Sequence, residues 1–269
     1  MEMFLYGFMR QAFQASFLIA LIAPVLGLFL ILRRQTLLAD TLSHVSLVGV
    51  ALGLLVGVEP TWMNILVAVI ASIILEYVRT VYKSYSEVSI AMMMSGGMAL
   101  ALVLMSFNDT TAMSLNTFLF GSIVTISKDQ VLFLLVLTVM ILILYLFFRR
   151  PMYVLTFDEE TAFTSGLPIR VMSIAFNVIT GITIAVIMPI VGALLVSAIL
   201  ILPAAISMRL GKNFNWVIGI GILIAMIGMF SGLTVSFYFG TPPGAMITLI
   251  LLAIFVLILL VEKMRKINR

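Results

Sequence analysis

Nine long apolar runs constrain this chain more than any other feature. They fall at Ala12–Leu32, Thr41–Val58, Trp62–Val78, Ser89–Phe107, Val131–Phe148, Val171–Met188, Ile190–Met208, Trp216–Phe237 and Ala245–Val261. Each is close to the ~20 residues that a helix needs to cross the hydrocarbon layer. A barrel strand would be about 9–11 residues of alternating polarity, so the runs imply helices, which satisfy their own backbone where no water is present. Composition agrees: 63% of the 269 residues are apolar and 10% are charged, against about 45–50% and 25% in a soluble domain. The expected fold class is therefore an all-α integral membrane protein. Residues 1–269 form one transmembrane domain of nine helices, or eight if one run does not cross. The absence of cysteine excludes zinc-thiolate, iron–sulfur and CxxC redox chemistry.

Orientation follows from the basic residues. The first run exceeds the apolar core of a signal peptide and no small-residue cleavage site follows it, so it reads as a retained span. With the N-terminus outside, thirteen of the fifteen Lys and Arg residues fall on the cytoplasmic side, and only Arg10 and Lys128 fall outside. That asymmetry is the positive-inside bias. It accounts for the net charge of +4 without a nucleic-acid partner, and it places the basic C-terminal tail in the cytoplasm.

Two connections depart from simple loops. Ser114–Ser127 is too short and too rich in Ser, Thr and Asn to cross, and is expected to be re-entrant or to lie along the outer face. Pro151–Pro168, the longest cytoplasmic connection, carries Asp158, Glu159 and Glu160 ahead of Thr161–Ser165, then Gly166 and Pro168. Acids at the start, glycine at the stop and proline beyond mark a short helix at both ends. Ser46–Pro60 and Pro189–Pro203 also align at Val48/Val191, Gly49/Gly192, Leu52/Leu195 and Pro60/Pro203. Opposed repeats of this kind occur in transport folds, although such agreement arises readily in sequence built from Leu, Val and Gly.

Asp40 and His44 form the sharpest chemical feature. An acid and the only histidine, four residues apart at the start of an apolar helix, share one face. Imidazole nitrogen with carboxylate oxygen suits zinc or manganese, and ionisable groups inside a span usually serve a pathway or a counter-charge. The alternative is that Asp40 caps a helix beginning at Thr41 while His44 packs. Gly49, Gly53 and Gly57 follow at four-residue spacing, a ridge on which a second backbone can pack closely. The nineteen methionines read as apolar filler. Glu76 and Glu87 are expected to pair with bases or headgroups near Arg79 and Lys83, and Asn177 to form an interhelical hydrogen bond.

No G-x-x-x-x-G-K-[ST], H-E-x-x-H or G-x-S-x-G motif is present, so the chain has no phosphate cradle of its own and neither common hydrolase motif. Energy for any transport comes from an ion gradient or from a partner. Because nearly all charges lie in loops or at span ends, partner-driven transport fits better than an ion-coupled secondary transporter. A purely structural scaffold is the third reading.

Three stretches, Ala39–Gly53 (ADTLSHVSLVGVALG), Phe118–Ser127 (FLFGSIVTIS) and Phe157–Pro168 (FDEETAFTSGLP), resemble the membrane permease of ABC-type zinc and manganese importers, with zinc-type members closest. The resemblance covers essentially the whole chain. It implies a type II importer-like permease of the bacterial plasma membrane that is not itself an enzyme and binds no stable cofactor. A second permease copy, two cytoplasmic ATP-binding subunits that hold the ATP, and an extracytoplasmic metal-binding protein would complete the assembly within the membrane lipid. It further implies that Asp40 and His44 contact the passing divalent metal, zinc in preference to manganese or iron(II). Asp158, Glu159, Glu160, Thr161, Ala162 and Gly166 match the helix that docks on the ATPase. Since a histidine must be neutral to donate its lone pair, uptake is expected to weaken as His44 protonates in acid.

Overall fold

The computed structural model describes residues 5–82, 86–107, 118–122 and 126–267. The described residues form α1 (Gly7–Leu32), α2 (Thr36–Val56), α3 (Pro60–Val81), α4 (Ser86–Ser106), α5 (Lys128–Phe157), α6 (Glu159–Thr164), α7 (Ile169–Val191), α8 (Val196–Leu210), α9 (Phe214–Phe239) and α10 (Pro243–Ile267). Eight of these are long and apolar enough to cross a membrane. The remaining apolar run is α8, whose 15 residues rise about 22 Å, short of a layer ~30 Å thick.

Glycines set the close packing. The carbonyl of Leu200 in α8 lies directly on the α-carbon of Gly27 in α1, and Pro24 of α1 fits against Gly221 of α9. These approaches enclose α1 among α5, α8 and α9 and leave most of its residues from Ala12 to Leu30 buried. In α10, Ile247 and Leu251 close on Gly232 and Gly228 of α9, so the last two helices run antiparallel. Outward-facing apolar side chains on α3, α4, α5 and α10, among them Leu66, Val103, Phe147 and Leu257, supply the surface that lipid covers.

Two prolines do not end helices where the sequence suggests. α5 continues through Pro151 to Phe157, so the connection to α7 is 158–168 rather than Pro151–Pro168. α7 continues through Pro189, and the break comes at 192–195 instead. Residues 118–122 dock on that break. The carbonyls of Phe118 and Leu119 accept from the amides of Ala193 (2.8 Å) and Leu194 (3.3 Å), and Ser122 donates its amide to the Pro189 carbonyl (3.3 Å). Irregular backbone is tolerated at such a place only if protein satisfies it, and each segment satisfies the other. Gly121 (φ +74) and Gly192 (φ +100) cross back to back, and a Cβ on Gly192 would lie 2.7 Å from the Gly121 nitrogen. This agrees with the expected segment that is re-entrant or lies along the outer face, as far as 118–122 extend; residues 114–117 and 123–125 lie outside the described set.

The aligned segments Ser46–Pro60 and Pro189–Pro203 do not share a conformation. Gly49 is inside α2, whereas its counterpart Gly192 ends α7 in an extended left-hand conformation. The alignment therefore reflects composition, not a structural repeat.

Gly192→Ala is expected to cost about 1–3 kcal/mol from backbone strain alone, lowering the thermal midpoint of the purified protein by several degrees. Gly219→Ala, on an α9 position with open space around the α-carbon, should leave it unchanged or slightly higher.

Candidate cation-pathway site and cytoplasmic helix

α2 begins at Thr36, four residues before Asp40. Asp40 is therefore within the helix and not its cap, and His44 lies just short of the midpoint of a 21-residue span. Thr41 fixes the orientation of this part of α2. Its hydroxyl donates to the Leu37 carbonyl (2.9 Å) and contacts the Ile90 carbonyl of α4 (3.4 Å). On the α3 side, Gly49 meets the Asn64 backbone, where a Cβ would fall 2.6 Å from the Asn64 α-carbon, and Gly53 meets Pro60. Gly57 does not continue the ridge. It takes φ +75 and ends the helix, donating to the Gly53 carbonyl.

With α2 held on those two sides, Asp40 and His44 are left half-buried. No hydrogen bond or ion pair reaches the Asp40 carboxylate among the described residues. Its charge does act on the His44 ring, whose Nδ1 is buried without a partner. A carboxylate facing lipid at the bilayer centre costs roughly 2.5–3.5 kcal/mol; Asp40 lies one turn inside the inner end of α2, where part of that cost applies unless water, a cation or another protein surface meets it. Among the described residues no group of three or more His, Cys, Asp and Glu side chains is placed to hold a metal.

A second polar pair lies nearer the cytoplasmic end of α3. Glu76 is 2% exposed. Its Oε2 accepts from Asn177 Nδ2 of α7 at 2.6 Å and lies 3.7 Å from Arg79 Nε. The expected partnership with a base is present, but Glu76 points into the bundle and not to the headgroups. Higher up, Asn64 Nδ2 donates to the Ala185 carbonyl of α7 (3.0 Å), and between the two bonds Gly181 packs on Ser72 of α3. α7 is thus bolted to α3 along most of its length, and α3 to α2. The Arg33 guanidinium at the end of α1 adds a further tie to α7, donating to the Ser173 hydroxyl and lying 5.3 Å from the centre of the Phe176 ring. Sequence reading singled out Asn177 but missed its partner, because Glu76 stands only three residues from a basic loop.

α6 projects between α5 and α7. Asp158 caps it, accepting from the Thr161 amide (2.9 Å) and the Thr161 hydroxyl (2.5 Å). Those bonds, the hydroxyl's first, hold the Asp158 carboxyl below its usual range. A depressed value stabilises the cap above pH ~4, and that contribution is lost only on further acidification. Ala162 is fully buried and its carbonyl accepts from the Leu167 amide (3.1 Å), while Gly166 turns the chain at φ +75. Glu160, Thr161, Phe163 and Thr164 face outward, Phe163 with 74% of its surface free. This six-residue helix, with its exposed aromatic ring, leads after four residues into α7.

The fold defines a multi-pass membrane permease with a short capped helix, α6, between α5 and α7 on its cytoplasmic side. The chain belongs to the ABC 3 transport family, whose sequence model matches residues 5–262. It is 31% identical over 255 residues to the "Probable metal transport system membrane protein" of Treponema pallidum (strain Nichols), covering 94% of this chain and 95% of that one. It is 25% identical to the high-affinity zinc uptake system membrane protein ZnuB of Haemophilus influenzae, covering 94% and 97% of the two chains. To the manganese transport system membrane protein MntC of Halalkalibacterium halodurans it is 26% identical, covering 94% and 86%. The solved structure of PsaBC from Streptococcus pneumoniae in complex with Fab superposes with a TM-score of 0.85 at 25% identity, over 94% of this chain and 91% of that one. As a membrane permease subunit of an ABC transporter, the chain is not itself an enzyme.

Asn177→Leu is expected to destabilise the protein by about 1.5–3 kcal/mol, the range for a hydrogen bond to a charged group. In a double-mutant cycle with Glu76→Met, which removes the acceptor, the two losses should be non-additive by about 0.6 kcal/mol. Strict additivity in denaturation of the purified protein would remove the tie.

Proposed function

We propose that this chain is the transmembrane permease of an ATP-driven importer of divalent metal ions and that zinc is its cargo. The observation that carries the reading is the Asp40 carboxylate, with no hydrogen bond or ion pair among the described residues, one turn before the half-buried His44 on α2, whose Nδ1 is buried without a partner among them. The named functions of the relatives, zinc uptake for one and manganese transport for another, support a metal as the cargo.

Two donors per chain are enough for a conduit. A structural zinc site closes with four protein ligands, which would hold the ion rather than pass it on. With a second copy of the permease facing the first across a two-fold axis, Asp40 and His44 of each would offer a transient nitrogen and oxygen set. A metal-binding protein outside would deliver the ion. Closure of two ATP-binding subunits below would move α6, and the bolted series α6, α7, α3 and α2 would carry that displacement to the metal-facing residues. Manganese is the second reading: the carboxylate suits a harder ion, and the manganese relative is as similar as the zinc one.

The test is uptake of labelled zinc by the permease reconstituted in vesicles with its ATP-binding subunits. Asp40→Asn and His44→Gln should each lower ATP-dependent uptake by at least about tenfold, the scale on which even outer-shell changes act, with assembly unchanged. Uptake at the unmodified rate in the double variant would overturn the site. Competition by unlabelled manganese at equal concentration decides between the two ions.

For the docking helix, single cysteines at Thr161, Phe163 and Thr164 should cross-link to the ATP-binding subunit while Gly240→Cys at the opposite end does not. Glu159→Lys with Glu160→Lys should reduce ATP hydrolysis coupled to transport. Capture at none of the three α6 positions would remove the docking assignment.

A further inference from the structure

A groove of about 300 Å³ runs along the bundle between α1, α5 and α7. It is lined by apolar side chains, among them Leu26 of α1, Ile141 of α5, and Ala175 and Ile179 of α7, with Tyr145 and Arg149 of α5 toward one end. The groove belongs neither to the Asp40 and His44 pair nor to α6.

Its position in the membrane can be read from α5. Lys128 and Arg149 are 21 residues apart on one helix, about 31 Å at 1.5 Å per residue, which is the thickness of the hydrocarbon layer. Lys128 and Arg149 therefore mark the outer and inner interfaces, and Tyr145 sits one turn inside the inner one, the level favoured by amphipathic aromatic rings. On α5 the lining runs from Ile141 past Arg149 to Met152, about 16 Å, and on α7 from Val171 to Ile179, about 12 Å, with Pro168 just below. It thus extends from the inner interface most of the way to the midplane and matches the hydrocarbon of one leaflet. Its rim includes Phe148 and Val171, both exposed and apolar, so it opens to lipid and not to water.

Arg149 is half-buried at the interfacial end. Among the described residues no hydrogen bond or ion pair satisfies its guanidinium, and its charge acts on Tyr145. An apolar slot about one leaflet deep that carries, near its inner end, a guanidinium with no protein partner among the described residues has the charge complement of an anionic phospholipid. Arginine donates to phosphate in a bidentate fashion, which a zwitterionic headgroup shares but weakens with its own cation.

We propose that this groove binds one acyl chain of an inner-leaflet anionic phospholipid, with the lipid phosphate on Arg149. The bound lipid wedges α5 against α7, the two helices that flank α6, and so holds the cytoplasmic contact helix in place from behind.

The test is native mass spectrometry of the purified permease assembled with its ATP-binding subunits and mixed with equal amounts of phosphatidylglycerol and phosphatidylethanolamine of the same chain length. The unmodified complex should retain phosphatidylglycerol about fivefold more, the effect of one basic residue at an anionic surface. Arg149→Leu should abolish the preference and Arg149→Lys should keep most of it. Ala175→Trp, which fills the groove, should lower retention of both lipids; if that variant fails to assemble, the two Arg149 variants decide the question. Equal retention of the two lipids, or a preference that survives Arg149→Leu, overturns the proposal. Disulfide formation between two copies carrying Ala175→Cys would assign the groove to a permease–permease contact and overturn it equally.

Discussion

In the hydrocarbon layer no water competes for hydrogen bonds, so every polar group there must be answered by protein or kept for a purpose. This chain meets that demand locally wherever it can. Thr41, Ser43, Ser72, Thr180 and Thr183 return their hydroxyls to carbonyls one turn earlier. Where the helix itself breaks, at 192–195, residues 118–122 come in to supply the missing backbone partners. His44 Nδ1, like the Gln35 amide and the Ser46 hydroxyl, is buried without a hydrogen-bond partner among the described residues, and only at His44 does an ionisable carboxylate, Asp40, stand one turn away on the same helix.

The same demand explains how motion could cross the bundle. Hydrogen bonds from Asn177 to Glu76 and from Asn64 to the Ala185 carbonyl tie α7 to α3 at two levels. Glycine contacts tie α3 to α2. α1, α8, α9 and α10 form the other packed group, organised around Gly27, Gly221, Gly228 and Gly232. α6 sits at the foot of the first group, so under the proposed function a push from the cytoplasm would reach α2 through packed and hydrogen-bonded contacts.

Much of this was legible in the sequence for a simple reason: twenty-residue apolar runs and the distribution of Lys and Arg are set by the thickness and polarity of the bilayer. The α6 helix was equally legible, because Asp158 and Gly166 each do a local job at its ends. The ends of α5 and α7 were not. Pro151 and Pro189 look like terminators, yet a membrane helix tolerates proline when neighbouring groups and local adjustment satisfy the freed carbonyl. The burial of Glu76 was hidden by its nearness to a basic loop, and the Gly121–Gly192 crossing by a sequence separation of 71 residues. Gly57 shared the spacing of Gly49 and Gly53 but serves the helix end. Spacing identifies a face, and only the neighbouring backbone shows which of its glycines are in contact.

The central claim is that a metal ion in transit meets Asp40 and His44. Zinc K-edge X-ray absorption on the complete transporter, loaded with zinc and arrested with a non-hydrolysable ATP analogue, addresses it without depending on flux. The account predicts nitrogen and oxygen scatterers at about 2.0–2.2 Å and an imidazole signature that disappears in His44→Gln. A zinc spectrum without imidazole in the unmodified transporter, or one unaltered by that substitution, would contradict it.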